Sequence, residues 1–107
     1  MDLLTWQQRL ARFSAERGWE AFLNPKNLAM ALSVEAGELV ECFQWLSPEQ
    51  AAALTPAQRD AVADEMADVL IYLLQMARVT GIDLEAAAEA KLLKNAQKYP
   101  ADPGLAP

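Results

Sequence analysis

The sequence predicts an all-α protein with four long helices and one short helical turn. Apolar residues recur three and four positions apart, no run alternates with the two-residue period of a strand, and capping signals separate the apolar segments. The chain has 107 residues, of which 53% are apolar, enough for one domain with a core. We expect that domain at residues 1–100 and a flexible tail at residues 101–107.

The first helix is expected at residues 5–17. Thr5 and Gln8 have the spacing of a capping box, in which the two side chains satisfy free backbone N–H groups. Gly18 provides a C-terminal stop.

The second helix is expected from Asn27 to Leu46, after the turn signal Asn24-Pro25. At roughly 100° per residue, its apolar residues form one stripe. Glu35 falls within that stripe, and Glu38 lies on its edge. A carboxylate that faces a core is costly unless something pairs with it.

Two start signatures with proline at the first helical position follow, at Ser47-Pro48 and Thr55-Pro56. They predict a helical turn at residues 48–53 and a long helix at residues 56–79. The long helix carries a second acidic pair, which is Glu65 and Asp68 on the flank of its apolar stripe. Residues three apart on a helix are neighbours, so each pair can present two carboxylates together.

Two facing carboxylate pairs would repel each other without a cation. Mg²⁺, which prefers oxygen ligands, would relieve that repulsion. Acidic residues also fill solvated helix faces, so the alternative is that these four side chains only solvate the surface.

The last helix is expected to begin after Asp83, which follows the stop signal Gly81, and to end near Lys98. Its stripe starts with apolar residues and continues with three residues that can donate hydrogen bonds: Lys91, Asn95 and Tyr99. A lysine beside an acidic cation site can contact phosphate; the alternative is an ordinary snorkelling side chain.

The segment Val69–Leu74 is apolar nearly all round, which indicates burial on several sides. A chain of this size has difficulty enclosing such a segment alone. We therefore expect a homodimer or homotetramer, with a monomeric bundle around a central helix as the alternative.

Composition restricts the function. The net charge of −6 argues against binding of nucleic acid polymers, which needs a basic surface. The sequence has no histidine, which excludes histidine-based catalysis within this chain. No segment suggests a signal peptide or a membrane span, so a cytoplasmic protein is expected.

Trp19 and Trp45 are candidate stacking faces for a nucleobase, or else core anchors. Tyr72 lies one turn beyond Asp68.

Five motifs occur together in order: Asn24-Pro25-Lys26-Asn27-Leu28, Glu35-Ala36-Gly37-Glu38-Leu39, Phe43-Gln44-Trp45, Glu65 to Leu73, and Lys91-x-x-x-Asn95-x-x-Lys98-Tyr99-Pro100. Together they resemble the MazG-like all-α nucleoside triphosphate pyrophosphatases, and most closely the dCTP pyrophosphatase branch. The resemblance covers about residues 6–100.

The resemblance implies Mg²⁺-dependent hydrolysis of a nucleoside triphosphate, such as dCTP or a modified pyrimidine dNTP, to the monophosphate and pyrophosphate. Mn²⁺ is a possible substitute. It implies a four-helix MazG-like bundle that assembles as a dimer or a dimer of dimers, with sites between subunits. The implied metal ligands are Glu35, Glu38, Glu65 and Asp68. The implied nucleotide contacts are Trp19, Trp45, Tyr72, Lys91, Asn95 and Tyr99.

Glu38 is also the candidate for the catalytic group that orients water, because it lies at the edge of the stripe. Animal members of the branch have histidines where this chain has Leu10 and Leu23, which leaves the base preference open. Two alternative functions remain: a non-catalytic helical interaction module, and a related phosphoribosyl-ATP pyrophosphohydrolase.

Overall fold

The computed structural model describes residues 1–104, and these residues form five helices and no strand. The helices are α1 (Leu3–Glu16), α2 (Pro25–Glu41), α3 (Pro48–Ala51), α4 (Pro56–Thr80) and α5 (Leu84–Lys98). The predicted all-α fold with four long helices is therefore confirmed. The predicted flexible tail lies partly outside the described residues, and the single domain at residues 1–100 stays a prediction.

The start of α1 differs from the prediction. Asp2, not Thr5, is the N-cap, and its carboxylate accepts hydrogen bonds from the backbone N–H groups of Leu4 and Thr5. The Thr5 hydroxyl donates to the same carboxylate at 2.7 Å. The prediction of a capping box at Thr5 was wrong because a stronger cap precedes it by three residues.

The other start signals are confirmed. Ser47 with Gln50 and Thr55 with Gln58 both form capping boxes, and the Asp83 side chain caps α5. Gly81 ends α4 in a left-handed conformation with φ of 69°, which glycine adopts without a Cβ penalty.

The second helix also differs from the prediction, because α2 ends at Glu41 instead of Leu46. The chain then tightens, and the N–H groups of Cys42 and Phe43 donate to carbonyls three residues back. Tight turns of this kind are common at helix ends. They carry Trp45 to the surface, where it is 86% exposed.

Packing is concentrated on α4. α2 lies along α4, α1 also packs against α4, and α5 makes few contacts with the other helices. The fully or nearly fully buried apolar side chains are Leu10, Leu28, Val62, Leu74 and Ala77. The bundle within one chain is thus three packed helices with a fourth long helix standing apart.

Candidate active site

The acidic pairs of α2 and α4 face each other across the contact between these two helices. One oxygen from each of four carboxylates lies within 4.8 Å of the others, and the residues are Glu35, Glu38, Glu65 and Asp68. The spacing of three residues puts each pair on one helix face, and the packing of α2 on α4 joins the two faces. We call this set the acidic cluster.

Two oxygens of the acidic cluster are buried and have no hydrogen-bond partner in the part of the chain that the structure describes, namely Oε2 of Glu35 and Oε2 of Glu65. Burial, a hydrogen bond with Glu38 and the nearby negative charges raise the pKa of Glu35 to about 7. Burial and the charge of Glu38 also raise the pKa of Glu65. As predicted from the stripe, the charge of Glu35 is poorly solvated in the metal-free chain.

Beside the acidic cluster lies a cavity of about 470 Å³ between α1, the loop that follows it, and α4. The wall on α4 consists of Asp68, Ile71, Tyr72 and Gln75, which follow the helical period of three and four. Asp68 therefore belongs to both the acidic cluster and the cavity.

The opposite wall of the cavity comes from α1 and the loop after it. α1 contributes Trp6, Arg9, Leu10 and Phe13, and the loop contributes Trp19 and Leu23. The rings of Phe13 and Trp19 meet edge to face, with centroids 5.6 Å apart. This wall is mainly aromatic and aliphatic, which suits a planar heterocycle.

Polar contacts, one of them fully buried, join the two walls of the cavity. The side-chain amide of Gln75 donates to the Ser14 hydroxyl at 3.0 Å, and both residues are buried. The Arg78 guanidinium donates to the Gln75 carbonyl oxygen at 2.9 Å and lies 3.7 Å from the Glu20 carboxylate. These contacts connect α1 and the loop to α4.

The structure brings some of the predicted site residues together and leaves others apart. The four predicted metal ligands meet, and Trp19 and Tyr72 line the adjacent cavity. The remaining predicted contacts lie outside the cavity lining of this chain: Trp45, Lys91, Asn95 and Tyr99. Their role in binding substrate stays a prediction.

Sequence reasoning assigned no function to Trp6, Arg9 or Gln75. The available signal was the spacing of three between Trp6 and Arg9, which places them as neighbours. Leu10 and Leu23, the two positions that leave the base preference open, both line the cavity.

Comparison with known proteins gives the family. The sequence pattern of the MazG-like family matches residues 30–106.

This chain belongs to the MazG-like family.

Relatives similar in sequence include dCTP pyrophosphatase 1 of Rattus norvegicus, which is 46% identical over 92 residues, covering 84% of this chain and 54% of the relative. The Homo sapiens protein of the same name is 43% identical over 93 residues, covering 85% and 55%. This MazG-like chain thus spans about half the length of the curated relatives it matches. A solved structure of a pyrophosphatase from Archaeoglobus fulgidus is 40% identical with a TM-score of 0.83, and the match covers 88% of both chains.

In the described part of the MazG-like chain, no helix has the length and apolar character of a membrane span.

Proposed function

We propose that this protein hydrolyses a nucleoside triphosphate to the monophosphate and pyrophosphate with the aid of Mg²⁺. A deoxynucleoside triphosphate such as dCTP, or a modified pyrimidine dNTP, is the proposed substrate. The acidic cluster carries this proposal, because its four carboxylates converge within 4.8 Å beside an aromatic cavity that shares Asp68. The relatives named for dCTP pyrophosphatase activity agree with it.

The acidic cluster fits a divalent cation. Two of its buried oxygens have no hydrogen-bond partner within residues 1–104, and carboxylate oxygens are the ligands that Mg²⁺ and Mn²⁺ accept. A bound cation would coordinate both unpaired oxygens. It would also neutralise the repulsion between the four carboxylates. When bound, the cation supplies positive charge to the phosphate oxygens.

Side chains of this protein bind the cation, activate the water and contact the nucleoside. Glu35, Glu38, Glu65 and Asp68 would hold the cation, and Glu38 also orients a water molecule and accepts its proton. The water oxygen forms a bond to the α-phosphorus, and the bond between that phosphorus and the bridging oxygen breaks. Pyrophosphate then leaves with the electron pair of that bond. Trp19 and Tyr72 contact the nucleoside in the cavity.

Assembly with further copies of this chain is part of the proposal. The accessible surface is 8194 Å², whereas a compact monomer of this mass exposes roughly 5,900 Å². The excess of roughly 2,300 Å² exceeds the ~800 Å² that each partner buries in a standard interface. The radius of gyration is 17.4 Å, against about 13 Å for a compact chain of this length.

The exposed apolar side chains indicate where a second copy would bind. Six of them lie on α2, α4 and α5: Met30, Val34, Val40, Met66, Leu92 and Leu93, each between 58% and 70% exposed. Of the predicted interface segment Val69–Leu74, Leu74 is fully buried in its own chain, and Ile71 and Tyr72 line the cavity. The remainder of that segment is half-buried and stays a predicted interface.

A second copy also gives a role to the four predicted contacts that lie outside the cavity. Trp45 is 86% exposed and Tyr99 is 68% exposed, so both are available to a neighbouring subunit. We propose that these two residues, with Lys91 and Asn95, complete a site that lies between subunits. The cytoplasmic location expected from the sequence remains part of this proposal.

The test is release of pyrophosphate from each common NTP and dNTP, with Mg²⁺ or with EDTA. We expect release from at least one dNTP with Mg²⁺ and none in EDTA, and we expect Asp68→Asn to abolish it. A non-catalytic interaction module would release none and would show no Mg²⁺-dependent change in melting temperature. A phosphoribosyl-ATP pyrophosphohydrolase would act on that compound in preference to dNTPs.

A further inference from the structure

The cavity offers a bound ligand more hydrogen-bond donors than acceptors. Gln75, which is 5% exposed, donates to Ser14 and accepts from Arg78, so both ends of its amide already have a partner within the chain. The Asp68 carboxylate belongs to the acidic cluster. The indoles of Trp6 and Trp19 are donors only, and the Tyr72 hydroxyl can donate or accept. A ligand that presents acceptors therefore suits this cavity better than one that presents donors.

Arg9 is the cation among the residues that line the cavity. Its guanidinium carbon lies 4.1 Å from the centroid of the Trp6 ring. Among residues 1–104, the side chain of Arg9 has no hydrogen bond and no ion pair within the chain, and it is exposed at the rim. A guanidinium held on an indole face keeps its fork of N–H donors free for a ligand in the cavity.

We propose that Arg9 is a specificity-determining residue that donates two hydrogen bonds to a base edge with two adjacent acceptors. This inference rests on the proposed function. Cytosine presents N3 beside O2, and guanine presents O6 beside N7. Uracil and thymine have an N–H donor at N3, and adenine has an amino group beside its ring acceptors, so each places a donor against the donors of Arg9.

The competing role for Arg9 is a contact with the phosphates. Such a contact would strengthen binding of every nucleotide by the same factor, because all share the triphosphate. Base reading changes the ratio between two bases instead. The pair dCTP and dUTP is the sharpest comparison, since the two differ only at position 4 of the ring and in the proton on N3.

The test replaces Arg9 with Met, which keeps an unbranched apolar stem against Trp6 and removes the donors. For the wild-type protein with Mg²⁺ we expect kcat/KM for dCTP to exceed that for dUTP by about 5- to 150-fold, the range for one bidentate contact. In Arg9→Met this ratio should fall to near one through loss of dCTP turnover, with little change for dUTP. Arg12→Met, exposed on the same helix and outside the cavity lining, is the matched control and should keep the wild-type ratio.

A second readout needs neither metal nor turnover. Tryptophan fluorescence titrations with dCMP and dUMP in EDTA should show tighter binding of dCMP to the wild-type protein and loss of that preference in Arg9→Met. Equal losses for both nucleotides, or an unchanged ratio, would overturn the role of Arg9 in reading the base. If no dNTP is hydrolysed, the proposed function fails by itself, while the monophosphate titration still decides whether Arg9 selects the base.

Discussion

Replacing Glu35 with Gln should separate the stability of the metal-free protein from its response to metal. The substitution keeps the shape of the side chain and removes a charge whose burial raises its pKa to about 7. This pKa in the folded state lies above 4.5, the ordinary pKa of a glutamate side chain. Ionisation of the carboxyl therefore opposes folding near neutral pH. Glu35→Gln should therefore melt at or above the wild-type temperature in EDTA.

The metal response should change in the opposite direction. A cation present at one hundred times its dissociation constant stabilises the native state by about 2.7 kcal/mol. For a chain of about this size that is a rise in melting temperature of about 10 °C. Glu35→Gln removes one ligand and leaves fewer charges to attract the cation, so it should lose most of this rise and most of the pyrophosphate release.

The assay is a melting series at neutral pH with EDTA and with increasing Mg²⁺, paired with pyrophosphate release by each variant. Asp68→Asn should behave like Glu35→Gln. Glu49→Gln is the control, because Glu49 is exposed on α3 and lies outside the acidic cluster. If Glu35→Gln keeps both the metal response and turnover, the acidic cluster is only a solvated face.

Three further outcomes are expected. In EDTA, the stability of the wild-type protein should fall as pH rises from about 4.5 to about 7, because the raised pKa of Glu35 makes the native state bind more protons than the unfolded state there; a flat profile in urea unfolding would contradict this. Trp45→Ala should weaken binding of a non-hydrolysable nucleotide analogue by ~1–3 kcal/mol, the usual cost of losing a stacking partner. If a titration shows unchanged affinity, Trp45 does not stack on the base. Val40→Asp, on the exposed face of α2, should reduce the mass measured by light scattering, whereas Leu4→Asp, equally exposed on α1, should not; a monomeric wild-type protein at micromolar concentration would refute assembly.

The two carboxylate pairs of the acidic cluster were predictable because the spacing of residues within a single helix determines them. Spacing of three residues sets which carboxylates share a helix face, and the apolar stripe of each helix indicates which face meets a neighbour. Glu35 within its stripe therefore predicted a poorly solvated carboxylate, and the structure confirms it. Capping signals fixed α3, α4 and α5 for the same reason, since each cap needs only three or four consecutive residues.

The cavity was not predictable in this way, because its two walls come from residues about sixty positions apart. The neighbours of Arg9 across the cavity depend on how α1 packs on α4, and the buried contact between Ser14 and Gln75 fixes that packing. Nor could the helical period show that α5 stands away from the other helices. Helix spacing assigns a face to a residue, but tertiary packing decides what that face meets.

The sequence by itself therefore determined the helical class, most helix boundaries and the two carboxylate pairs, since all follow from short-range geometry. Only the tertiary structure decided that the pairs meet within 4.8 Å and that Asp68 also faces an aromatic cavity. It also decided that Trp6 and Arg9, which helical spacing alone makes neighbours on α1, line that same cavity opposite α4. These are distances between separate helices, and such distances arise from packing of whole helix faces, which no local pattern specifies.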